Sequence, residues 1–321
     1  MPQLLLYSLL FVGSLLVVVQ GSRLVIRHAT PIARSLRLSD FATSFLVVGV
    51  LSAFPETTIS VISAFENVPT LGLGLIFGSN VADLTLVFGI AALFTTRGIT
   101  VRSDFLKKDF IFIIPLLIPI LLGFYGFFSR FDGVILILGG VVFFMVLYTM
   151  GHRPSFGPDA APDHHTFKHI FLFMIGIIAL LGAAYGTVVF AERIAILLRI
   201  PEVLIGLSLI TLGTTIPELS FSINAAKTQH GELVLGDILG VVITDATIVL
   251  GLMAILNPYA FDRRLIFVTG FAMVLAAIIS LNFMRSGRTL GKREGVSLIL
   301  LYIFFLSVEF SLQGGAINFT P

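Results

Sequence analysis

Four carboxylic acids stand well inside long apolar stretches of the chain: Glu56, Asp83, Glu218 and Asp245. A carboxylate withdrawn into such surroundings costs several kcal/mol unless it is paired, protonated or bound to a cation. Reading the apolar stretches as membrane spans places none of the 20 Lys and Arg inside one. With no basic partner available, two chemistries remain: proton binding and metal-cation binding. One such acid is readily explained as a protonated hydrogen-bond donor in a packed interior. Four at matched positions are not.

The spacing around the acids is rich in oxygen. Ser52 and Glu56 are i and i+4, as are Thr214 and Glu218; Ser60 and Ser222 continue the same two stripes, and Ser79 precedes Asp83 by four. On a helix each acid then shares a face with a hydroxyl. Hard cations such as Ca²⁺ gather about six to eight oxygens, backbone carbonyls included. Pro55 and Pro217 lack an N–H and are expected to break their helices just before each Glu, freeing carbonyls near Ser52 and Thr214. Gly74, Gly78, Gly236 and Gly240 form small-residue faces suited to close helix approach. Asp237 and Glu309, nearer the ends of their apolar stretches, read as solvated at the interface.

The elements that must position these groups follow from composition. The 321 residues are 57% hydrophobic and 12% charged, with 31 Phe and 30 Gly, and the mean hydropathy is +1.05. An ordinary soluble domain carries about a quarter charged residues, and a disordered chain needs far fewer apolar ones. The apolar residues fall in runs near the roughly 20 residues of a spanning helix, so the chain reads as an all-α polytopic membrane protein. Six plain spans are Leu4–Val19, Phe110–Ser129, Gly133–Gly151, Ile170–Ala191, Leu265–Met284 and Gly295–Gly314. Four spans carry acids: Phe41–Ala64, Leu71–Thr96, Val203–Ala226 and Leu233–Leu256. Leu4–Val19 has basic residues after it rather than before it, and reads as a retained first helix rather than a signal peptide. Ten spans sort the basic residues fifteen to one side and five to the other. The positive-inside rule makes the richer side cytoplasmic, with both termini outside and the plasma membrane as the expected location.

The chain also repeats itself. A shift of 162 residues aligns Pro55-Glu56 with Pro217-Glu218, Gly74 with Gly236, Gly78 with Gly240, Asp83 with Asp245, Thr85 with Thr247 and Gly89 with Gly251, with no gap. Chance alignment of apolar segments matches Leu with Val, not Pro, Glu, Asp and Gly in register. Residues 1–150 read as a first five-helix repeat, 151–169 as a cytoplasmic linker, and 170–321 as a second five-helix repeat. Five is odd, so the second copy enters the membrane inverted, an architecture common among secondary transporters. The linker carries His152, His164, His165 and His169 with Asp159 and Asp163, and reads as solvated.

These residues resemble the two α-repeats of the cation/calcium exchanger superfamily, the sodium/calcium exchangers. Gly213-Thr214-Thr215-Ile216-Pro217-Glu218 is similar to the family's first helix motif, and Leu51-Ser52-Ala53-Phe54-Pro55-Glu56 is a looser copy. Gly78-Ser79-Asn80 with Asp83 resembles the second motif, whereas Gly240-Val241-Val242 with Asp245 has lost its polar pair. The resemblance implies Glu56 and Glu218 as the main Ca²⁺ ligands, completed by the carbonyls of Ser52 and Thr214 and flanked by Asp83 and Asp245. It also implies Thr215 and Thr211 at an outward sodium site, Ser79 at the inward one, and carbonyls offered by Gly49 and Thr211. Val241 and Ala53 replace hydroxyl ligands, and Asp83 stands where many of these exchangers carry Asn.

The expectation is therefore a non-enzymatic antiporter, without a cofactor, that exchanges Ca²⁺ for Na⁺ by alternating access at a midplane acidic site. Its partners are inorganic cations and the lipid bilayer, not nucleic acid, and a monomer is the expected state. H⁺ or K⁺ coupling, or another divalent such as Mg²⁺ or Mn²⁺, keeps the same fold. An uncoupled channel is a different class. So is a membrane enzyme holding a catalytic metal, for which no nucleophile or base motif is present. With no Cys, disulfides and thiolate metal sites are excluded.

Overall fold

The computed structural model describes residues 2–35, 52–95, 98–100, 110–150, 166–227, 231–287 and 289–314. The first part of the expected span Phe41–Ala64, Gly49 included, lies outside them, as do His152, His164 and His165. The described chain is almost entirely helical. Helix α1 is Pro2–Ser35, α2 Phe54–Phe65 and α3 Pro69–Leu93. Helices α4 (Phe110–Leu122), α5 (Arg130–Met150) and α6 (Thr166–Leu198) follow. Helix α7 is Glu202–Lys227, α8 covers 231–256, α9 covers 263–287 and α10 is Lys292–Gly314. Prolines at the starts of α2 and α3, Pro55 and Pro69, sit where a missing N–H does no harm.

Among the described residues, eight helices are long and apolar enough to cross a membrane. Burial sorts them. The most apolar windows of α3 and α8 are 89% and 83% buried, whereas those of α1, α5, α6 and α10 are 28% buried. Helices α3 and α8 therefore run through the middle. The outer helices present Leu5, Leu9, Leu138, Ile178, Leu300 and Phe304 outward, a surface stable against lipid and costly against water at about 25 cal/mol per Å². One apolar core gathers around α3, α8 and α9. A second joins α1 and α6, which pack along their lengths, to one face of α3 and α7.

Three expectations from hydropathy need correction. The run Phe110–Ser129 is not one helix. Helix α4 ends at Leu122, passes through a single 3₁₀ turn at Gly123–Tyr125, and reverses at Gly126, whose φ of 77° favours glycine. Phe127–Phe128 (β1) then pair antiparallel with Tyr259–Ala260 (β2), and Phe128 packs against Tyr259 and Phe261. The apolar run outlasts its helix because aromatic rings fill this corner. In the opposite sense, α1 and α6 continue far past Leu4–Val19 and Ile170–Ala191. Helices do not stop where hydropathy falls, so Arg23, Arg27, Lys168 and Arg193 lie on helices rather than in loops. A third reading concerned Pro217. It interrupts nothing, and α7 continues through it from Thr211 to Lys227.

The 162-residue relation reappears as matched contacts. A methyl group added to Gly251 would lie 2.7 Å from the Gly133 carbonyl oxygen and 2.7 Å from Ile137 Cγ1. One added to Gly89 would lie 2.7 Å from the Gly295 oxygen and 2.8 Å from Ile299 Cγ1. Each residue of the second set is its counterpart moved by 162, with the two partners exchanged between halves. A short ladder of Ile99–Thr100 with Thr289–Leu290 ties two loops from the richly basic set. The β1–β2 ladder ties the loops next to Arg130, Arg263 and Arg264.

Candidate functional site

The four acids come from four helices and meet in the interior. Glu56 lies in the first turn of α2 and Glu218 in α7, while Asp83 and Asp245 lie in α3 and α8. None is more than 3% exposed. Asp83, Glu218 and Asp245 each lie within Coulombic reach of Glu56, and Asp83 also acts on Glu218 and Asp245. Both Glu218 oxygens, Oε2 of Glu56, and Oδ1 of Asp83 and of Asp245 are buried without a hydrogen-bond partner. Unpaired buried carboxylate oxygens are rare in folded proteins and call for an ion or a proton. Among the described residues no three acids or histidines close into a ready metal cage. The acids are neighbours with free oxygens rather than an assembled coordination sphere.

Local structure explains how α3 and α8 turn their aspartates inward. Asp83 opens a stretch of π-helix, Asp83–Val87, and Asp245 lies at the start of another, Thr244–Val249. Such bulges free backbone carbonyls and recur at functional sites. In each, a threonine two residues after the aspartate bonds back to the carbonyl four before it: Thr85 Oγ1 to Val81 O at 2.5 Å, and Thr247 Oγ1 to Ile243 O at 2.6 Å. The duplicated Asp-x-Thr was legible in the sequence; its π geometry was not. A third π stretch, Gly206–Ile210, precedes Thr211 in α7. This is where α7 departs from regular α-helix, one turn ahead of the glycine-threonine motif and not at Pro217.

The hydrogen bonds of the hydroxyls are set by tertiary packing as well as by the helical face they share with the acids. Ser79 Oγ has two acceptors in reach for its one proton, the Ile76 carbonyl oxygen at 3.1 Å and Asp245 Oδ2 at 3.3 Å, and Asp83 is not one of them. Ser52 Oγ donates to Asp237 Oδ1 at 2.8 Å, while Thr214 Oγ1 turns back to the Thr211 carbonyl oxygen at 3.3 Å. The Ser79–Asp245 and Ser52–Asp237 contacts cross between the sequence halves. Ser60 instead donates to the Gly72 carbonyl at 3.5 Å. Thr211 Oγ1 donates to Gly206 O at 2.9 Å, and the Thr215 hydroxyl to Thr211 O. Asp237, read as interfacial, is 2% exposed and part of this network. Glu309, also read as interfacial, is 1% exposed and lines a pocket with Thr70, Glu202, Asp262 and Arg264.

Glycines set how closely the helices approach. A methyl group on Gly78 would sit 2.6 Å from Thr211 Oγ1 and 2.7 Å from the Leu207 carbonyl oxygen. Only glycine lets α3 lie against the π stretch of α7 there. Gly74 likewise approaches the Val203 carbonyl oxygen too closely for a Cβ, whereas its repeat counterpart Gly236 meets nothing within 4 Å among the described residues.

A fold with this arrangement is a transporter fold. The chain matches the family model of the sodium/calcium exchanger protein over residues 6–149 and again over 168–310, two segments whose starts differ by the repeat shift. It belongs to that family, within the cation/calcium exchanger superfamily, and is an integral membrane antiporter. It is 25% identical to the sodium/calcium exchanger MaX1 of Methanosarcina acetivorans, over 95% of this chain and 98% of that one. It is 29% identical to the inner membrane protein YrbG of Escherichia coli, over 97% and 98%. The sodium-calcium exchanger NCX_Mj, solved after soaking with Na⁺ and Sr²⁺, shares its fold at a TM-score of 0.67 and 24% identity, over 95% of this chain and 99% of that one.

Proposed function

We propose that this antiporter exchanges Ca²⁺ for Na⁺ by alternating access, with both ions held among Glu56, Glu218, Asp83 and Asp245. The observation that carries the reading is the convergence of four buried acids with free oxygens, two from each half, and, among the described residues, no basic residue among their charged neighbours. Four ionised carboxylates in a dry interior are unstable without counter-charge. One divalent ion or several monovalent ions satisfy them. A loaded site is neutral enough to be carried past the apolar barrier and an empty one is not, which makes the movement an exchange rather than a leak.

Ser52, Thr214, Thr215, Ser79, Gly49 and Thr211 complete the proposed oxygen set. The proposed topology is ten spans in two inverted halves, 1–150 and 170–321, joined by a cytoplasmic linker. Both termini lie outside the plasma membrane, and the working unit is a monomer. Pairing of the basic-rich loops with one another, and of the basic-poor loops with one another, supports that sidedness. A second reading, H⁺ in place of Na⁺, is favoured by Val241. It is the repeat counterpart of Ser79, and its side chain offers Na⁺ no oxygen. The site assignment is tested by equilibrium ⁴⁵Ca²⁺ binding to purified protein. Glu218→Gln abolishes saturable binding if the assignment is right, and undiminished binding refutes it.

A further inference from the structure

The symmetry of the site is broken beside the aspartates of α3 and α8. Ser79 hydrogen-bonds Asp245, but its counterpart Val241 offers Asp83 nothing in return. One helical turn earlier on α8 stands Asp237, whose counterpart in the first half is Leu75. Asp237, Val241 and Asp245 are spaced by four, so they share a face of α8, with Asp237 and Asp245 about 12 Å apart along the axis. Asp237 Oδ1 accepts from Ser52 Oγ at 2.8 Å, while Oδ2 is buried without a partner in a residue 2% exposed. Its charge acts on both Asp83 and Glu218. The second half has in effect lost a hydroxyl at 241 and gained a carboxylate at 237, one turn along the same path.

We propose that Asp237 is a fifth cation-binding carboxylate, which with Ser52 holds a monovalent coupling cation, Na⁺ or H⁺, beside the four-acid cluster. The inference rests on the reading of that cluster as the ion site. A lone carboxylate with one hydroxyl neighbour suits a singly charged ion, since a divalent ion needs more oxygens and more negative charge than this pocket provides. The position also explains how the site tolerates Val241: the negative charge that draws in a monovalent ion comes from the turn below.

The test is displacement of ⁴⁵Ca²⁺ from the purified full-length protein, by Na⁺ at fixed pH and by H⁺ in a Na⁺-free buffer. Asp237→Asn keeps an acceptor for Ser52 and removes the charge; Asp237→Glu keeps the charge. The Asn variant is expected to need about tenfold more of one monovalent ion for half-displacement, with a shallower curve, and the Glu variant to restore it. The ion whose curve moves is the one Asp237 holds. Unchanged curves for both ions in the Asn variant overturn the proposal. If that variant does not fold, Asp237→Leu, which installs the residue of the first half, is read the same way. Failure of the cluster reading looks different: wild-type protein then binds no ⁴⁵Ca²⁺, or no monovalent ion displaces it.

Discussion

Ser79 and Asp245 stand 166 residues apart in the chain and 3.3 Å apart in space, hydroxyl to carboxylate, across the boundary between the two halves. In that contact and in the Ser52–Asp237 contact the first half supplies the hydroxyl and the second half the acid, so the second half does not hold a complete site by itself. A movement of one half against the other must therefore break or exchange these bonds, which links ion occupancy to conformation.

Replacing Glu56 by Gln keeps size and hydrogen bonding but removes charge where Oε2 has no partner. Calcium-dependent exchange in proteoliposomes is expected to fall by about two orders of magnitude, the scale of losing one charge-assisted ligand of about 3 kcal/mol. Near-normal flux would remove Glu56 from the ion site.

Val241 is 1% exposed and stands where the first half has Ser79. Val241→Ser restores the missing hydroxyl opposite Asp83. Half-saturating Na⁺ for ⁴⁵Ca²⁺ efflux is expected to drop severalfold, consistent with one added hydrogen bond or ligand of about 1 kcal/mol. Ser79→Ala is expected to move it the other way. Movement of both variants in the same direction would contradict the cross-half pairing.

Glycine contacts predict stability. Gly251→Ala places a methyl 2.7 Å from the Gly133 carbonyl oxygen and is expected to destabilise by about 1–3 kcal/mol. Gly236→Ala meets nothing within 4 Å among the described residues and is expected to be neutral or to stabilise by up to about 1 kcal/mol through helix propensity. With no Trp and no Cys in the chain, melting is best followed by far-UV circular dichroism in detergent. Equal effects of the two substitutions would contradict the packing described.

One pH effect lies outside the spans. His28 on α1 and His169 on α6 approach Nδ1 to Nδ1 at 2.7 Å, so one ring must accept the other's proton. Burial first, then the charges of His169, Arg27 and Lys168, hold His28 below the ordinary histidine value of 6.5. The unfolded chain then binds more protons than the folded one as pH falls. The stabilisation is complete above that ordinary value and is lost as pH drops through the lowered one. The wild-type melting temperature is expected to fall between about pH 7 and about pH 5, and His28→Phe to flatten that fall. An identical pH profile in the variant would show that the pair contributes nothing.

Much of this was legible in the residues. The register of Pro55-Glu56 with Pro217-Glu218, and of Asp83 with Asp245, marked the acids that meet, because an unpaired acid in an apolar run stands out in composition alone. Helix ends were not legible. Hydropathy reports where lipid begins, and α1 runs on past Val19 with Arg23 and Arg27 aboard. The partners of the hydroxyls were not legible for a related reason: helical spacing puts Ser79 and Asp83 on one face, whereas the hydrogen bond obeys tertiary geometry and reaches Asp245. Asp237 looked interfacial because distance along a helix was taken for depth, and the packing of Ser52 over it could not be seen from either segment alone.

The central claim is tested most directly by ⁴⁵Ca²⁺ uptake into proteoliposomes carrying the purified protein, driven first by an outward Na⁺ gradient and then by an outward H⁺ gradient. The account predicts uptake that follows the Na⁺ gradient, saturates with Ca²⁺ and disappears in Glu218→Gln. Ca²⁺ entry that needs no counter-gradient, or that persists in that variant, would contradict exchange at this site; uptake with H⁺ alone would replace Na⁺ as the coupling ion.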